Sequence, residues 1–288
     1  MNGELEFTDC ETSKINTFAI PMANFLLEYF RKHKTLIAEN LDLCRDPDDI
    51  EAIHNFRLST KRIRVVARLA DKVSEGRFNS REKLREINFL FKRAGRLRDI
   101  QVIQQLLQNY RDPAVKPVMQ EIRKKESRRR KKFEAAYSEY PQSGLDAFEQ
   151  RLIELMKDTS LTKLRGAAGM LMAEHEDEIR RLFHGSAEEK RLHRIRTRLK
   201  SINYLNNAFG EQLPVEEHLH IPVERLREVG ELAGSWHDCL ILEKTLGKHL
   251  MNDPESSPSL KTVLDKIILQ KEELAQEYRC VLMNEMKI

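Results

Sequence analysis

A line of bases at helical spacing is the feature of this sequence with the clearest chemistry. Each residue of a helix advances by about 100°, so residues three and four apart lie on one face. His54, Arg57, Lys61, Arg64 and Arg68 follow these spacings. Arg presents paired donors that match the oxygens of a phosphate, and Lys presents a mobile point charge. These residue types in this pattern favour the binding of a phosphate anion.

A second basic line follows on the next predicted helix. One face of it carries mostly bases, and these polar residues are Arg81, Arg85, Asn88, Lys92, Arg96 and Asp99. Packing two like-charged faces together without an anion costs on the order of several kcal/mol. We therefore expect a groove or central channel that holds water and counter-ions when empty and phosphate oxygens when filled.

The second half of the chain repeats the first. A shift of 139 positions, with no gap, aligns His54 with His193, Arg57 with Arg196, Lys61 with Lys200, Gly95 with Gly234, and Asp99 with Asp238. This set in one register indicates two copies of a four-helix unit. The second copy is less basic, because Arg64, Arg68, Arg85 and Lys92 align with Asn203, Asn207, Glu224 and Glu231. We expect the first half to be the stronger anion binder.

The elements that must position these lines are predicted to be helices. Glycine and proline number only 11 and 9 among 288 residues, and no stretch alternates as a series of strands would. An all-α fold of two four-helix bundles follows, with halves at residues 1–144 and 145–288. The third helix is predicted to run unbroken from about Asn79 to Gln108. A break in the helical region of the second half is predicted near Thr159 and Ser160.

Composition excludes several classes of protein. The apolar runs are too short to span a membrane, and the segment Met1–Glu11 lacks the basic start and apolar run of a secretory signal. The four cysteines lie far apart, which argues against a disulfide scaffold or a cysteine zinc site. We expect a soluble cytoplasmic protein that needs no cofactor or metal. The net charge is only +4, but the segment from His54 to Arg98 alone contains 14 bases and 4 acids.

At these residues the sequence resembles the CHAD family, the conserved histidine α-helical domain proteins. The matching segments are His54–Arg64 and Gly95–Asp99, with second copies at His193–Lys200 and Gly234–Asp238. The resemblance covers nearly the whole chain. It implies two four-helix bundles related by a pseudo-twofold axis, with a basic pore between them that binds inorganic polyphosphate. It also implies association with polyphosphate granules and no catalytic activity of the domain itself.

The resemblance and the two basic lines together define the expected site. The predicted polyphosphate-binding residues are His54, Arg57, Lys61, Arg64, Arg68, Arg85, Lys92, Arg96, His193, Arg196 and Lys200. Asp99 and Asp238 are expected to orient an Arg or a His through a salt bridge. No glycine-rich phosphate loop occurs in the sequence, so nucleotide binding at such a loop is not expected. Nothing in the sequence resembles a triphosphate-tunnel domain, and in line with the resemblance we expect no enzyme activity.

Several alternatives remain open at this point. The bases of the first line could instead pair with Glu28, Glu39 or Asp42 of the first helix in a solvated lattice. The two motif histidines could bind a metal or accept a phosphoryl group, although neighbouring cations disfavour a metal. Nucleic acid is the rival partner, and a helical scaffold that binds nothing is a third possibility. The run Arg123–Lys132 could be a second anion patch, a nucleic-acid contact or a solvated helix end.

Overall fold

The computed structural model describes residues 20–47, 49–110, 112–141, 143–184, 189–209, 223–252 and 258–286. These ranges contain helices and no strand, which confirms the predicted all-α class. The helices are α1 (Ile20–Leu43), α2 (Ile50–Val73), α3 (Ser80–Lys83), α4 (Arg85–Gln108), α5 (Lys116–Ser138), α6 (Ser143–Lys157), α7 (Leu161–Phe183), α8 (Glu189–Phe209), α9 (Val223–Asn252) and α10 (Pro258–Met286). A 3-10 turn, Pro113–Val115, precedes α5. No described helix is long and apolar enough to cross a membrane.

The ends of α2, which carries the first basic line, are fixed by local hydrogen bonds. At its start, the carboxylate of Asp49 accepts the backbone N–H of Ala52 at 2.9 Å, as an N-cap residue does. At its end, Gly76 adopts a φ of +85°, which only glycine adopts without strain. Asp71 then accepts the backbone N–H of Ser80 at 2.9 Å, so the start of α3 is tied to the last turn of α2.

The predicted unbroken third helix is wrong. The chain bends at Leu84, whose φ and ψ are −100° and 13°, and α3 ends there while α4 begins at Arg85. Leu84 is buried in the core. On one side of it α3 contacts Asp71, and on the other side α4 packs along α2. The break predicted near Thr159 and Ser160 is confirmed. There, the Ser160 hydroxyl accepts the backbone N–H of Lys163 at 3.2 Å and caps α7.

Among the described residues, two of the three hydrophobic cores contain side chains from both predicted halves, 1–144 and 145–288. The first core joins α1, α2 and α4 to side chains of α6, α7 and the end of α8, and Phe30 of α1 stacks on Phe148 of α6 with ring centroids 5.0 Å apart. Another core joins Leu107 and Val118 to Leu246 and Ile267. A third lies within the second half around Trp236. The two halves therefore share two of these cores, and α6 packs against α1 of the first half.

The helix order nevertheless repeats in a way that brings the basic lines together. In the first half α1 packs on α2 and α4 on α5, and in the second half α7 packs on α8 and α9 on α10. Across the halves, α2 contacts α8 and α4 contacts α9. The helices that carry the two His-Arg-Lys motifs are therefore neighbours. The pseudo-twofold relation of two separate bundles stays a prediction.

Candidate anion-binding site

A cavity of about 290 Å³ lies where α2 and α8 meet. Its basic lining comes from both helices and consists of Lys61, Arg64, Arg68, His193, Arg196 and Lys200. Phe91 of α4 and Tyr204 of α8 complete the wall that these cations share. The structure therefore brings Lys61 and Arg64 of the first motif copy together with His193, Arg196 and Lys200 of the second.

A second, larger cavity of about 860 Å³ lies between α2 and the α3–α4 segment. Arg64 and Arg68 line it as well as the smaller cavity, so the two cavities meet at these side chains. The remaining polar lining includes Arg81, Arg85 and Lys92. The amino-terminal part of the second basic line, from Arg81 to Lys92, therefore lies on the wall of the same groove.

The cations of the smaller cavity are not neutralised by protein carboxylates. Within the described ranges, none of them forms an ion pair, although Arg68 donates to the Ser201 hydroxyl at 3.5 Å. Burial, followed by nearby cations, lowers the pKa of Lys61 to about 7 and that of Lys200 to about 8. Removal from water disfavours the charged amine, and a like charge does the same. The site therefore gains from an anion that restores the missing countercharge.

Arg57 is held in place by α4. Its guanidinium carbon lies 4.3 Å from the centroid of the Phe91 ring, and its Nη1 donates to the Phe91 carbonyl oxygen at 2.9 Å. Arg64 lies over the same ring at 4.7 Å. A Cβ atom at Gly95 would stand only 2.3 Å from Nη1 of Arg57, so this close approach requires glycine. A guanidinium over an aromatic face is stabilised by the ring quadrupole.

The equivalent surroundings in the second half are different. Phe91 and Gly95 align with Gly230 and Gly234, and a Cβ atom at either glycine would meet nothing within 4 Å. The Nε of Arg196 is buried and has no hydrogen-bond partner in the described structure. Arg196 is therefore not fixed against its neighbouring helix as Arg57 is.

At one edge of the second-half site, a histidine stands where the first half has an arginine. Arg98 aligns with His237, whose ring centroid lies 4.8 Å from that of His193. Burial and then the adjacent Arg196 lower the pKa of His237 to about 3. Burial followed by Arg196 also lowers the pKa of His193. Both shifts favour the neutral imidazole.

The two aspartates do not make the salt bridges we expected. In the part of the chain that the structure describes, neither Asp99 nor Asp238 forms an ion pair. Burial raises the pKa of Asp99, while Arg57 and Lys61 act in the opposite direction from a longer distance. The same holds for Asp238, with Arg196 as its largest opposing cation. Their influence on the bases is therefore electrostatic, without a direct contact.

Five of the predicted site residues do not line the smaller cavity, and Arg57 is one of them. His54 is exposed beside Arg98 and Glu51 and lines neither cavity. Arg85 and Lys92 are exposed on the wall of the larger cavity, and Arg85 has Glu86 at 3.8 Å. Arg96 is also exposed and lines neither cavity. Of the two motif histidines, His193 therefore lines the cavity between α2 and α8, and His54 does not.

The alternative pairing with acids of α1 is not observed. Asp42 accepts a hydrogen bond from the Tyr137 hydroxyl at 2.9 Å and lies 3.5 Å from Arg45. Glu28 and Glu39 form no ion pair with the basic line of α2 within the described residues. No described group of three or more His, Cys, Asp or Glu could hold a metal ion.

Sequence reasoning missed the aromatic part of the site. Phe91 carries two guanidinium groups, and Lys61 lies 5.8 Å from the Tyr204 ring centroid. The available signal was spacing, because Phe91 precedes Gly95 by one helical turn and Tyr204 follows Lys200 by one turn. A large ring at those positions falls on the basic face and can support its cations.

Two comparisons with known proteins agree with this architecture. The CHAD domain family model matches residues 28–247. Among solved structures, the chain is similar to the CHAD domain from the plant Ricinus communis, with a TM-score of 0.70, 14% identity, and coverage of 92% of this chain and 91% of that chain. It is also similar to PptA from Streptomyces chartreusis, with a TM-score of 0.63, 14% identity, and coverage of 92% and 99%. No curated protein sequence matches the chain.

Proposed function

The chain belongs to the CHAD family, and from that premise we propose that it binds inorganic polyphosphate, or a similar linear phosphate polyanion, between α2 and α8. The observation that carries the proposal is the cavity in which Lys61, Arg64 and Arg68 face the bases of α8 without a protein countercharge. A phosphate polymer supplies that countercharge at regular intervals along one dimension. The proposed role is to hold the polymer and not to cleave it.

Arg57, Arg64 and the two lysines have different roles in this proposal. Arg57 and Arg64 are held on Phe91, so their remaining donors meet phosphate oxygens with little loss of side-chain entropy. Lys61 and Lys200 are partly deprotonated near neutral pH in the empty site. A bound polyanion favours their charged forms, so binding near pH 7 to 8 takes up protons.

The polymeric nature of the ligand follows from the extent of the basic wall. The smaller and larger cavities meet at Arg64 and Arg68, so a chain of phosphates contacts more bases than a single phosphate does. Affinity should therefore rise with polymer length and fall as salt screens or replaces the released counter-ions. On this proposal the protein acts in the cytoplasm, on polyphosphate granules.

Nucleic acid is the rival ligand, and the aromatic side chains argue against it. Binding of single strands without sequence preference uses open aromatic faces on which bases stack. Here, the Phe91 ring is covered by Arg57 and Arg64, and Lys61 lies over Tyr204. The rings support cations instead of offering a stacking surface.

Titration calorimetry tests the proposal with long-chain polyphosphate, orthophosphate and a single-stranded oligonucleotide. The variant Arg57→Ala/Lys61→Ala removes two site cations, and Lys248→Ala/Lys261→Ala is a matched control on exposed helix faces. We expect tight, length-dependent polyphosphate binding that only the site variant weakens while its helix content is unchanged. Equal or tighter oligonucleotide binding would favour the nucleic-acid alternative. No binding to either polymer would leave a helical scaffold.

A further inference from the structure

The outer face of α5 carries a second concentration of bases that the site between α2 and α8 does not use. We define the α5 basic face as Arg123, Lys124, Arg128, Lys131 and Lys132. On a helical wheel these residues lie within about half a turn of one another. The apolar side chains of this helix, Val118, Ile122 and Phe133, lie on the opposite side and are buried. The basic face therefore points away from the core.

Two other bases of α5, Lys125 and Arg130, are paired, whereas those of the α5 basic face are not. Arg130 lies 3.4 Å from Glu126 and donates to the Pro47 carbonyl oxygen at 3.0 Å. Lys125 lies 2.5 Å from Glu121. In contrast, no member of the α5 basic face forms an ion pair with any described residue. The exposed Glu134 follows at the carboxyl end of the face, two residues after Lys132.

The α5 basic face is separate from the cavities described above. α5 packs chiefly on α4, and none of the face residues lines the cavity between α2 and α8 or the one beside α3. A polymer in the central groove therefore leaves this face unoccupied.

We propose that the α5 basic face binds a second segment of inorganic polyphosphate, so that one protein chain joins two polymer segments. This inference rests on the proposed function of the central site. The face extends over about 14 Å of helix, from the 1.5 Å rise per residue, and its mobile bases match a flexible line of phosphates. Binding at such an exposed surface is weak per contact, and a polymer already held in the central groove raises its effective concentration there.

The surroundings of the face disfavour other anionic partners. α5 exposes no large hydrophobic side chain, and membrane-surface helices bury an apolar face. Its aromatic residue nearest the bases, Phe133, is buried, so no ring is available for stacking a nucleobase. Charge is the main recognition feature that this surface offers, which fits a polymer made only of phosphates.

A bridging assay tests the inference with defined variants. The α5 variant replaces all five bases by glutamine, Arg123→Gln/Lys124→Gln/Arg128→Gln/Lys131→Gln/Lys132→Gln. A control removes the same charge from exposed lysines on other helices that form no ion pair within the described residues, namely Lys157→Gln/Lys190→Gln/Lys248→Gln/Lys261→Gln/Lys266→Gln. Beads that carry immobilised long-chain polyphosphate are loaded with each protein, washed, and exposed to fluorescent polyphosphate.

We expect the wild-type protein and the control to capture the fluorescent polymer, and the α5 variant to capture at least about tenfold less, because avidity depends on the second site. Calorimetry with short polyphosphate should give unchanged affinity at the central site for all three proteins. Equal capture by the α5 variant, or capture of duplex DNA or anionic vesicles in preference to polyphosphate, would overturn the inference. If the wild-type protein binds no polyphosphate at all, the proposed function of the central site is wrong.

Discussion

In the first half of the molecule, Arg57 lies on the Phe91 ring and against the backbone at Gly95, whereas in the second half the aligned positions around Arg196 are both glycine. The motif residues of the two halves are the same, but only the first has a fixed guanidinium. The difference shows that one motif can be supported in two ways. The first half fixes Arg57 against its neighbouring helix, and the second half leaves Arg196 without that support.

The charge on the walls differs in the same direction. Arg64 and Arg68 of α2 align with Asn203 and Asn207 of α8. Asn207 donates to the side-chain oxygen of Asn203 at 3.0 Å, so these amides satisfy one another. Most of the fixed positive charge in the cavity therefore comes from α2, although both helices form its walls.

Exchanging the aligned Arg and Asn residues between α2 and α8 should produce the largest change in polyphosphate affinity. Arg64→Asn/Arg68→Asn makes α2 resemble α8 and should weaken polyphosphate binding about 100-fold, because each charge-assisted hydrogen bond contributes about 1.5 kcal/mol or more. Asn203→Arg/Asn207→Arg makes the opposite change and should strengthen it about tenfold. Calorimetry at fixed salt measures both. If the two exchanges have equal and small effects, the halves do not differ as described.

Alanine substitution of the two aligned glycines should have the next largest effect on polyphosphate affinity and should distinguish the two halves. Gly95→Ala places a Cβ atom against Nη1 of Arg57 and should displace that side chain, with a loss of about tenfold in affinity. Gly234→Ala meets open space and should leave affinity unchanged, while adding about 0.5–1 kcal/mol of stability because it lies inside α9. Circular dichroism confirms that both variants fold. Equal affinities for the two variants would contradict the close packing of Arg57.

The pH dependence of binding should be a smaller effect. Lys61 and Lys200 have pKa values lowered to about 7 and about 8, so they are charged at pH 6 and lose that charge as the pH rises to 9. Polyphosphate affinity should fall several-fold over this interval, and binding at pH 7.5 should take up protons. Lys61→Arg keeps its charge throughout and should flatten the curve. An affinity that rises with pH would contradict these protonation states.

The smallest effect is on stability, and it has the opposite sign. Because the pKa of Lys61 is lower in the folded protein than its ordinary value of 10.5, the unfolded chain binds more protons between these two values. Stability should therefore rise from pH 7 to pH 10, and the cost of the buried amine is fully present below pH 7. Lys61→Met should raise the free energy of unfolding at pH 7, because it removes the cost of burying a charged amine. Denaturant unfolding measures it, and destabilisation by Lys61→Met would argue against a buried, unpaired amine.

The sequence predicted the helices and the residues of the central wall because both are periodic. The spacing of Lys61, Arg64 and Arg68 defines one helix face, and the shift of 139 positions places Arg196 and Lys200 on its counterpart. These signals depend only on helix geometry, and the structure brings the faces together.

The remaining features depend on tertiary contacts that periodicity does not encode. The bend at Leu84 follows from the contact between Asp71 and Ser80, which are nine residues apart. The packing of α6 into the first core follows from Phe148 meeting Phe30 across the chain. The absence of salt bridges at Asp99 within the described residues depends on distances of a few ångströms between helices. None of these could be read from the residue pattern of a single helix.

A crystal structure of the protein with a short polyphosphate tests the central claim most directly. The account predicts a phosphate chain between α2 and α8, with its oxygens within hydrogen-bond distance of Arg57, Lys61 and Lys200. More contacts should come from α2 than from α8. A phosphate chain ordered on another surface, with only water between these two helices, would contradict the account.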